Sequence, residues 1–358
     1  MNTLLKYSIG IDVAKDKLDA CLISLDNSLG IKVQATHKFA NAPAGFKEIT
    51  SWIKKFRKEQ VPVEILMEAT GVYHEKLAIY LTEQKEKVFV VLPNKSQKYL
   101  QSLGLKSKND KIDAKGLAIM CAHGQLNEWK PISKYFYELR LLTRHHQSIQ
   151  ETRTGFMNQL HALKYSGYSS KELTKQLQKI IALFDKQLKD LKKLIEKHII
   201  SDENVKRKVS QICKIKGLDT LSVATVLAET NGFELISNMG QLVSYAGYDV
   251  IENQSGNHIG RTKISKKGNS RIRRILHMPA LITVKYREPA LVNLYERIFD
   301  RTRLKMKGYV AVQRKILELI YTLWKKDEAY DPSFKQVVPS KDSTTLDKLQ
   351  DLNQQLSL

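Results

Sequence analysis

Cysteine is scarce in this sequence. The 358 residues include three cysteines, Cys21, Cys121 and Cys213, which lie far apart in the chain. Zinc sites need closely spaced ligands and disulfide frameworks need paired cysteines, so this pattern favours neither. A few isolated cysteines are typical of a protein in a reducing cytoplasm.

Long apolar segments are also missing. No run approaches the roughly 20 apolar residues that a membrane-spanning helix requires. The first residues, Met1–Lys6, contain too few apolar side chains to form a signal peptide. We therefore expect a cytoplasmic protein.

Acidic residues are few compared with basic ones. The chain has 59 Lys and Arg against 37 Asp and Glu, a formal net charge of +22, although its 42% hydrophobic content is that of a soluble globular protein. Such an excess favours a polyanionic partner such as nucleic acid, because each phosphate that a Lys or Arg neutralises releases condensed counterions. A soluble basic protein without such a partner is the simpler alternative, and charge alone leaves it open.

The first third of the chain has the residue pattern of alternating strands and helices. Three consecutive strands are predicted near residues 6–14, 17–25 and 31–39. Beyond them the pattern predicts helices at 42–59, 72–84 and 110–123, and strands at 61–68 and 87–92. Pro93-Asn94 breaks the pattern before the last helix. This order of elements is that of the ribonuclease-H-like α/β fold.

One strand and one helix carry a clear periodicity. In the third strand Val33, Ala35, His37 and Phe39 alternate with polar residues, the period of a half-exposed strand. Farther along, a coiled-coil seam is predicted by the spacing of apolar residues at Leu173, Leu177, Ile180, Phe184, Leu188, Leu191 and Ile195. A looser apolar face lies upstream, and Tyr165–Ser170 separates the two helices. The pattern predicts a helical hairpin with a structural or self-association role.

We divide the chain into four regions on these patterns. They are an α/β domain at 1–127, a helical coiled-coil linker at 128–208, a mainly α-helical domain at 209–328 and a polar tail at 329–358. The tail lacks a core pattern, so we expect it to be disordered. Residues 212–224 resemble a helix-hairpin-helix, whose turn amides can hold a DNA phosphate. Asp219 stands where a second glycine is usual, and two packed helices with a glycine turn are an equal alternative.

Four carboxylates fall where a nucleic-acid enzyme would need them. Asp12 interrupts an apolar strand and Glu68 ends another. Asp110 and Asp113 lie three residues apart at the start of a helix, so they share one face. Burying a carboxylate in an apolar strand is costly unless a cation compensates it. Phosphodiester chemistry uses such clusters to hold divalent metal ions.

Each acid also has a structural interpretation. Asp110 could be a helix N-cap and Asp113 a favourable first-turn acid. Glu68 could be a surface residue at the end of a strand, whereas Asp12 has apolar neighbours on both sides. Other acids are interpreted as solvated, among them Asp16, Asp19, Glu64 and Glu75. Taken together on this element order, the four favour a metal site.

A glycine-rich basic segment near residues 253–274 is the second signal. We expect its Lys and Arg residues to contact phosphates; they are Arg261, Lys263, Lys266, Lys267, Arg271, Arg273 and Arg274. Within it, Ser255 stands beside a glycine. A serine hydroxyl attacks phosphorus only when its proton is removed and the developing charge is offset. Alone, Ser-Gly is most simply a turn; the competing nucleophiles are Ser244, Tyr245, Tyr248, Ser265 and Ser270.

These residues resemble the motifs of a known family. Ile9–Lys15, Met67–Gly71 and Asn109–Ala114 are similar to the Asp-Glu-Asp-Asp motif of an insertion-sequence transposase family related to the Piv/MooV DNA invertases. This chain also resembles the carboxyl-terminal transposase domain of the family, at Leu242–Gly247, Ser255-Gly256 and Ile264–Asn269. The resemblance covers about residues 6–285. It departs at residues 247–250, where a proline is common, and at Asp219, and neither departure touches the expected chemistry.

The resemblance implies a chemistry and partners. It implies a RuvC-like domain in which Asp12, Glu68, Asp110 and Asp113 bind Mg²⁺, with Mn²⁺ as an alternative, and a Ser255 that becomes covalently joined to DNA. It also implies a bridge RNA that pairs with donor and target DNA. Active sites shared between protomers imply a homodimer or homotetramer, acting at the bacterial nucleoid.

We therefore expect a transposase that cuts and rejoins DNA through a phosphoserine intermediate. Two alternatives remain open from the sequence. One is a RuvC-like junction resolvase or nuclease that uses water as its nucleophile, with Ser255 in a turn. The other is a non-enzymatic nucleic-acid-binding scaffold whose carboxylates are structural.

Overall fold

A computed structural model describes residues 3–58, 61–104, 109–252, 254–255, 258–260 and 262–333. The chain divides into two compact units, Met1–Ile132 and Ser133–Leu358. Arg261 and the tail beyond residue 333 lie outside the described residues. Among the helices that are described, none is long and apolar enough to cross a membrane.

The first unit is built on a five-stranded mixed sheet. Its strands are β1 (Leu4–Val13), β2 (Lys17–Asp26), β3 (Ile31–Ala40), β4 (Val63–Glu68) and β5 (Lys87–Val91). The order across the sheet is β3-β2-β1-β4-β5. β2 is antiparallel to β1 and to β3, whereas β4 is parallel to β1 and β5 is parallel to β4. This topology confirms the predicted ribonuclease-H-like fold.

Helices cover both faces of this sheet. They are α1 (Pro43–Phe56), α2 (Glu75–Glu83), α3 (Pro93–Ser102) and α4 (Asp110–His123). One core packs α1 and α2 against β1, β2 and β4. On the opposite face α4 packs on β1 and β2 so closely that a Cβ on Gly10 would lie 2.1 Å from the carbonyl oxygen of Ala114. A glycine in β1 therefore sets the distance between α4 and the sheet.

Two local predictions in this unit are wrong. Pro93 does not break the pattern but begins α3, because the fixed φ of proline suits the first turn of a helix. The alternation in β3 does not place one whole face in the core: Val33 is 41% exposed and Phe39 is the buried residue of the strand. β3 is an edge strand of the sheet.

The second unit begins with the predicted helical hairpin. Helix α5 (Lys134–Tyr165) and helix α6 (Lys171–Ile200) are joined by a short turn. Their apolar faces meet along the hairpin, as in the pair Phe156 and Phe184, whose ring centroids are 5.7 Å apart. The seam is most exposed at the tip, where Leu173 is 44% exposed, and is fully buried at the base. The base belongs to the core of the same unit.

The rest of this unit is mainly helical. Its helices are α7 (Glu203–Ile212), α8 (Thr220–Thr230), α9 (Met239–Ala246), α10 (Ser270–Ile275), α11 (His277–Lys285), α12 (Pro289–Thr302) and α13 (Lys305–Lys326). Between α9 and α10 lie four short strands, β6 (Val250–Ile251), β7 (Gln254–Ser255), β8 (His258–Ile259) and β9 (Lys263–Ile264). β6 pairs with β9 and β7 with β8. The strands thus hold the segment that contains Ser255.

The helix-hairpin-helix candidate is a tight turn between α7 and α8. Gly217 has a φ of +98°, and a Cβ there would lie 2.9 Å from a methyl group of Ile282. Asp219 caps α8, because its Oδ1 accepts a hydrogen bond from Ser222 N at 2.9 Å. The aspartate therefore has a structural role that a second glycine would not supply.

Candidate active site

Parallel pairing of β1 and β4 places Asp12 and Glu68 beside each other. Ile11 is opposite Met67 in the register, so the next residue of each strand lies at the same carboxyl-terminal edge of the sheet. Both strands end at this edge, and the chain continues as a loop from Ala14 and from Ala69. Both acids are half-buried. The apolar stretches before them anchor the strands in the core, and the acids emerge at the edge.

Helix α4 brings the other two acids to the same edge. Its N-cap is Asn109, whose Oδ1 accepts a hydrogen bond from Ile112 N at 3.0 Å. The interpretation of Asp110 as the N-cap is therefore wrong. Asp110 and Asp113 stand in the first turn of α4, which packs on β1 just beyond them.

The proximity of these acids changes the acidity of Asp12. The pKa of Asp12 is raised from 3.8 to about 6, first by burial and then by the negative charges of Asp110, Asp113, Glu68 and Asp19. Like charges close together favour the protonated form. The acids that the sequence singled out therefore act on one another in the folded chain.

A fifth acid belongs to this cluster. Asp19 lies directly opposite Asp12 in the β1–β2 register and is only 3% exposed, so its interpretation as a solvated residue is wrong. Glu64 is not solvated either, because Lys6 and Lys87 each contact it at 2.6 Å. The signal for Asp19 was its place on the strand that follows Asp12 through a tight turn.

Two lysines compensate the cluster. Lys17 on β2 donates a hydrogen bond to Asp110 and lies 3.8 Å from Asp19. Lys38 on β3 lies 3.3 Å from Asp19. The hydrogen bond and charge of Lys17 lower the pKa of Asp110 and raise that of Lys17. Sequence analysis missed both lysines.

Glu68 is held by a buried serine. Ser96, on α3, is fully buried, and its hydroxyl donates to Glu68 Oε2 at 2.6 Å. Thr70 makes a longer contact with the other carboxylate oxygen, at 3.4 Å. α3 was not predicted, so no pattern in the sequence connected Ser96 with the acids.

The donor set fits a hard divalent cation in its chemistry. All five acids offer oxygen ligands, which Mg²⁺ prefers, and the cluster already attracts the Lys17 ammonium. As the side chains stand, no three His, Cys, Asp or Glu residues of the described part of the chain are arranged to hold an ion. A metal ion bound at Asp110 would compete with the Lys17 ammonium for that carboxylate.

Ser255 is described through its backbone. It pairs with His258 across the β7–β8 hairpin. Three of the competing nucleophiles are already engaged: Tyr248 is buried and donates to Gln313 at 3.0 Å, Tyr245 donates to the carbonyl oxygen of Glu229 at 2.8 Å, and Ser265 donates to Asp249 at 2.6 Å. Burial also raises the pKa of Tyr248. Ser244 and Ser270 are exposed, in α9 and α10.

The predicted phosphate contacts differ in their surroundings. Lys263, Lys266 and Lys267 are exposed, whereas Arg271 is half-buried. Arg274 is exposed but pairs with Glu151. Arg273 donates to the carbonyl oxygen of Ala246 at 2.8 Å, which gives it a structural contact as well.

The two segments of the carboxyl-terminal motif pack against each other. Gly247 has a φ of +72°, and a Cβ on Gly268 would lie 2.5 Å from the carbonyl oxygen of Tyr245. Asn269 N donates to that same oxygen at 2.7 Å. Neither glycine leaves room for a side chain.

A buried glutamate that the sequence did not single out anchors this packing. Glu229, on α8, accepts hydrogen bonds from Arg144 at 2.7 and 2.9 Å and from Asn269 at 2.7 Å. Burial alone would raise the pKa of Glu229, but these hydrogen bonds outweigh it and hold the pKa below its usual range. Asn269 in turn caps α10. The basic segment is therefore fixed to α5 and α8.

Both halves of the chain match models of known protein families. A family model described as transposase of the IS110 DEDD type matches residues 9–163. A second, described as transposase of the IS116/IS110/IS902 family, matches residues 209–296. Pilin gene-inverting proteins of Moraxella bovis and Moraxella lacunata are each 28% identical over 329 residues, covering 91% of this chain and 98% of theirs.

Solved structures of RuvC also match, over a smaller part of the chain. Thermus thermophilus RuvC is 14% identical with a TM-score of 0.27, covering 34% of this chain and 99% of RuvC. The same protein in complex with a Holliday junction substrate is 13% identical, again with a TM-score of 0.27, covering 35% of this chain and 99% of that chain. The two family matches include all four of the acids and the basic segment, and the chain belongs to the IS110-type transposase family.

Proposed function

We propose that this protein is a Mg²⁺-dependent transposase or DNA invertase that cuts and rejoins DNA through a covalent phosphoserine intermediate. The observation that carries the proposal is the convergence of acids from β1, β4 and α4 on one edge of the sheet, where burial and then the charges of the other acids raise the pKa of Asp12 to about 6. A cluster of this kind is costly unless it holds a cation. Family membership supports DNA as the substrate.

Asp12, Glu68, Asp110 and Asp113 would hold the metal. When bound, Mg²⁺ would polarise a scissile phosphate and offset the charge that develops on it. Asp19 adds negative charge to the site from the neighbouring strand. Ser96 would keep the Glu68 carboxylate oriented.

Ser255 would supply the nucleophile. Its Oγ attacks phosphorus and forms an Oγ–P bond while the bond from phosphorus to a sugar oxygen breaks. The serine proton passes to solvent, and the released sugar oxygen takes up a proton and leaves as a hydroxyl. Attack of a strand's hydroxyl on the phosphoserine reverses these changes, so rejoining needs no ATP. The exposed Lys263, Lys266 and Lys267 would bind the flanking phosphates.

A structured bridge RNA is proposed as the guide for target and donor DNA, and a homodimer or homotetramer as the active assembly. The net charge of +22 supports a polyanionic partner such as nucleic acid. Sequencing of nucleic acid that copurifies after gentle lysis tests the guide. One abundant, discrete RNA supports it, and random fragments contradict it.

Trapping of the covalent intermediate tests the serine. Denaturing gels should show a protein–DNA adduct with the wild type and none with Ser255→Ala, while filter binding shows equal DNA affinity. Ser244→Ala and Ser270→Ala, two exposed serines of the same unit, are the matched controls and should keep the adduct. An adduct that survives in Ser255→Ala would remove the role of this serine.

Product ends separate the proposal from its alternatives. Free 5′-phosphate ends without an adduct would indicate a nuclease that uses water. Absence of cleavage, together with calorimetry that detects no Mg²⁺ binding dependent on Asp110 and Asp113, would indicate a scaffold. Cleavage at the wild-type rate in EDTA would contradict the metal assignment.

A further inference from the structure

A cleft lies within the second unit. Its volume is about 770 Å³, and its walls come mainly from α5, α8, α11 and the start of α13. Clefts that hold small organic ligands usually measure about 300–1,000 Å³. The proposed strand-cutting chemistry does not use this space.

One wall of the cleft is made of hydrogen-bonding side chains. Thr143, His146, Gln147 and Gln150 all face it from α5. Their spacing of three, one and three residues keeps them on a single face of the helix. Farther along the same helix, the face that packs on α6 is apolar. An unusually polar face therefore points into the cleft.

Three of these groups are available to a ligand, whereas Thr143 is buried and its hydroxyl donates to the Leu139 carbonyl oxygen at 3.0 Å. Gln150 is exposed and His146 is half-buried. Burial lowers the pKa of His146, which keeps its ring neutral, with one donor and one acceptor nitrogen. Gln147 donates to Glu151 at 2.8 Å, so its amide oxygen remains an acceptor. The wall thus presents both donors and acceptors.

The part of the lining that α11 and α13 contribute is mainly apolar. Met278 and Ile282 on α11 face the cleft with Met306 and Val310 on α13. Met278 and Met306 are more than half exposed, at 57% and 56%. Methionine adapts to flat ligands because its side chain is flexible and polarisable. A planar ring between these walls would have apolar contact on its faces and hydrogen bonds at its edges.

The rim is basic. Arg273 and Arg274 line it, and exposed Lys305 and Lys307 flank Met306, another lining residue. Lys216 is exposed next to Gly217, a lining residue. Two acids oppose this charge: Asp219 lines the cleft and lies 3.8 Å from Lys192, and Glu151 pairs with Arg274. The balance at the rim favours an anionic ligand.

We propose that this cleft binds an unstacked base of single-stranded nucleic acid, with the flanking phosphates on the basic rim. Unpaired bases are read by hydrogen bonds to their edges and by contact with apolar or aromatic side chains. The inference rests on the proposed nucleic-acid function but not on the cutting chemistry. Single strands of DNA and of RNA share the relevant groups.

Fluorescence anisotropy of the full chain in EDTA tests the cleft. The probes are single strands of about 12 nucleotides, as DNA and as RNA of the same sequence, and the corresponding DNA duplex. Gln147→Leu/Gln150→Leu should weaken single-strand binding about tenfold, the value of one or two hydrogen bonds. Duplex affinity and the salt dependence should stay unchanged, because no charge is removed.

The matched control is Gln176→Leu/Gln178→Leu, the same change at two exposed positions of α6. It should bind both strands like the wild type. A wild-type affinity of the α5 double variant for both single strands, or an equal loss of duplex binding, would overturn the proposal. The type of single strand, DNA or RNA, whose affinity falls more in the α5 double variant is the ligand of the cleft.

Photocrosslinking supplies a second measurement that does not depend on variants. A 4-thiopyrimidine in the bound DNA or RNA strand should crosslink to peptides that contain residues 143–150 or 275–282. Crosslinks found only in other peptides would overturn the proposal. The assay contains no divalent metal, so it measures binding without strand cleavage. Its outcome does not depend on whether Ser255→Ala loses the covalent adduct, and the two proposals can therefore fail separately.

Discussion

The hydroxyl of Ser96 donates a hydrogen bond to Glu68 Oε2 at 2.6 Å. Ser96 is fully buried on α3, and Glu68 ends β4. A buried donor of this kind fixes the direction of a carboxylate, and residues that orient metal ligands contribute strongly to metal affinity. Ser96 is therefore a positioning residue for the proposed metal site.

Ser96→Ala should weaken Mg²⁺ binding by about tenfold or more, because Glu68 loses its donor and can rotate. Isothermal titration calorimetry of the metal-free protein measures this directly. Ser102→Ala on the same helix removes a hydroxyl that donates only to the Tyr99 carbonyl oxygen at 2.7 Å, so it should leave Mg²⁺ affinity unchanged. Equal affinities for Ser96→Ala and the wild type would show that the hydrogen bond has no positioning role.

Lys17→Met should strengthen Mg²⁺ binding several-fold. The lysine donates to Asp110, so it competes with the metal for that carboxylate, and methionine keeps the side-chain length without the charge. Without metal the variant should also melt at a lower temperature, since the acids lose a compensating cation. Lys47→Met, at an exposed position of α1, is the control. A weaker Mg²⁺ affinity in Lys17→Met would mean that the lysine assists the metal.

The stability of the metal-free protein should depend on pH through Asp12. Its pKa is about 6 in the folded chain against 3.8 when unperturbed, so the folded state holds the proton more tightly. Below pH 3.8 Asp12 is protonated in both the folded and the unfolded state, so it does not make the stability depend on pH. As the pH rises from 3.8 to about 6, Asp12 ionises in the unfolded state before it ionises in the folded state. The free energy of unfolding therefore falls over this pH range.

Asp12→Asn removes this effect. In EDTA its melting temperature should approach that of the wild type near pH 4 and exceed it by a few degrees above the folded pKa of about 6. Calorimetric melts at a series of pH values measure the difference. Asp16→Asn, an exposed neighbour, should show no such trend. A wild type that stays as stable as Asp12→Asn at high pH would contradict the raised pKa.

Glu229→Gln should be destabilising, by about 2 kcal/mol, because it replaces the charged acceptor of the Arg144 hydrogen bonds with a neutral amide. Asn269 also loses an acceptor, so the cap of α10 should loosen. Urea denaturation measures the stability, and the exposed Glu252→Gln serves as the control. A loss no larger than that of the control would mean that the network contributes little to the fold.

The fold could be predicted from sequence because the strands and α4 carry their own periodicity. The predicted bounds of α4, 110–123, agree with the structure. α3 was missed because proline breaks helices in their interior but starts them at the first turn. The exposure of β3 depends on which strand lies at the edge of the sheet, and local pattern does not contain that information.

The candidate site was predicted in part. The sequence determined that Asp12 and Glu68 stand at the ends of apolar strands and that Asp110 and Asp113 share a helix face. The tertiary structure decided that Asp19 joins them, that Lys17 reaches Asp110 and that Ser96 holds Glu68. The physical reason is packing: residues far apart in the chain meet only where β1 pairs with two strands and Gly10 lets α4 approach.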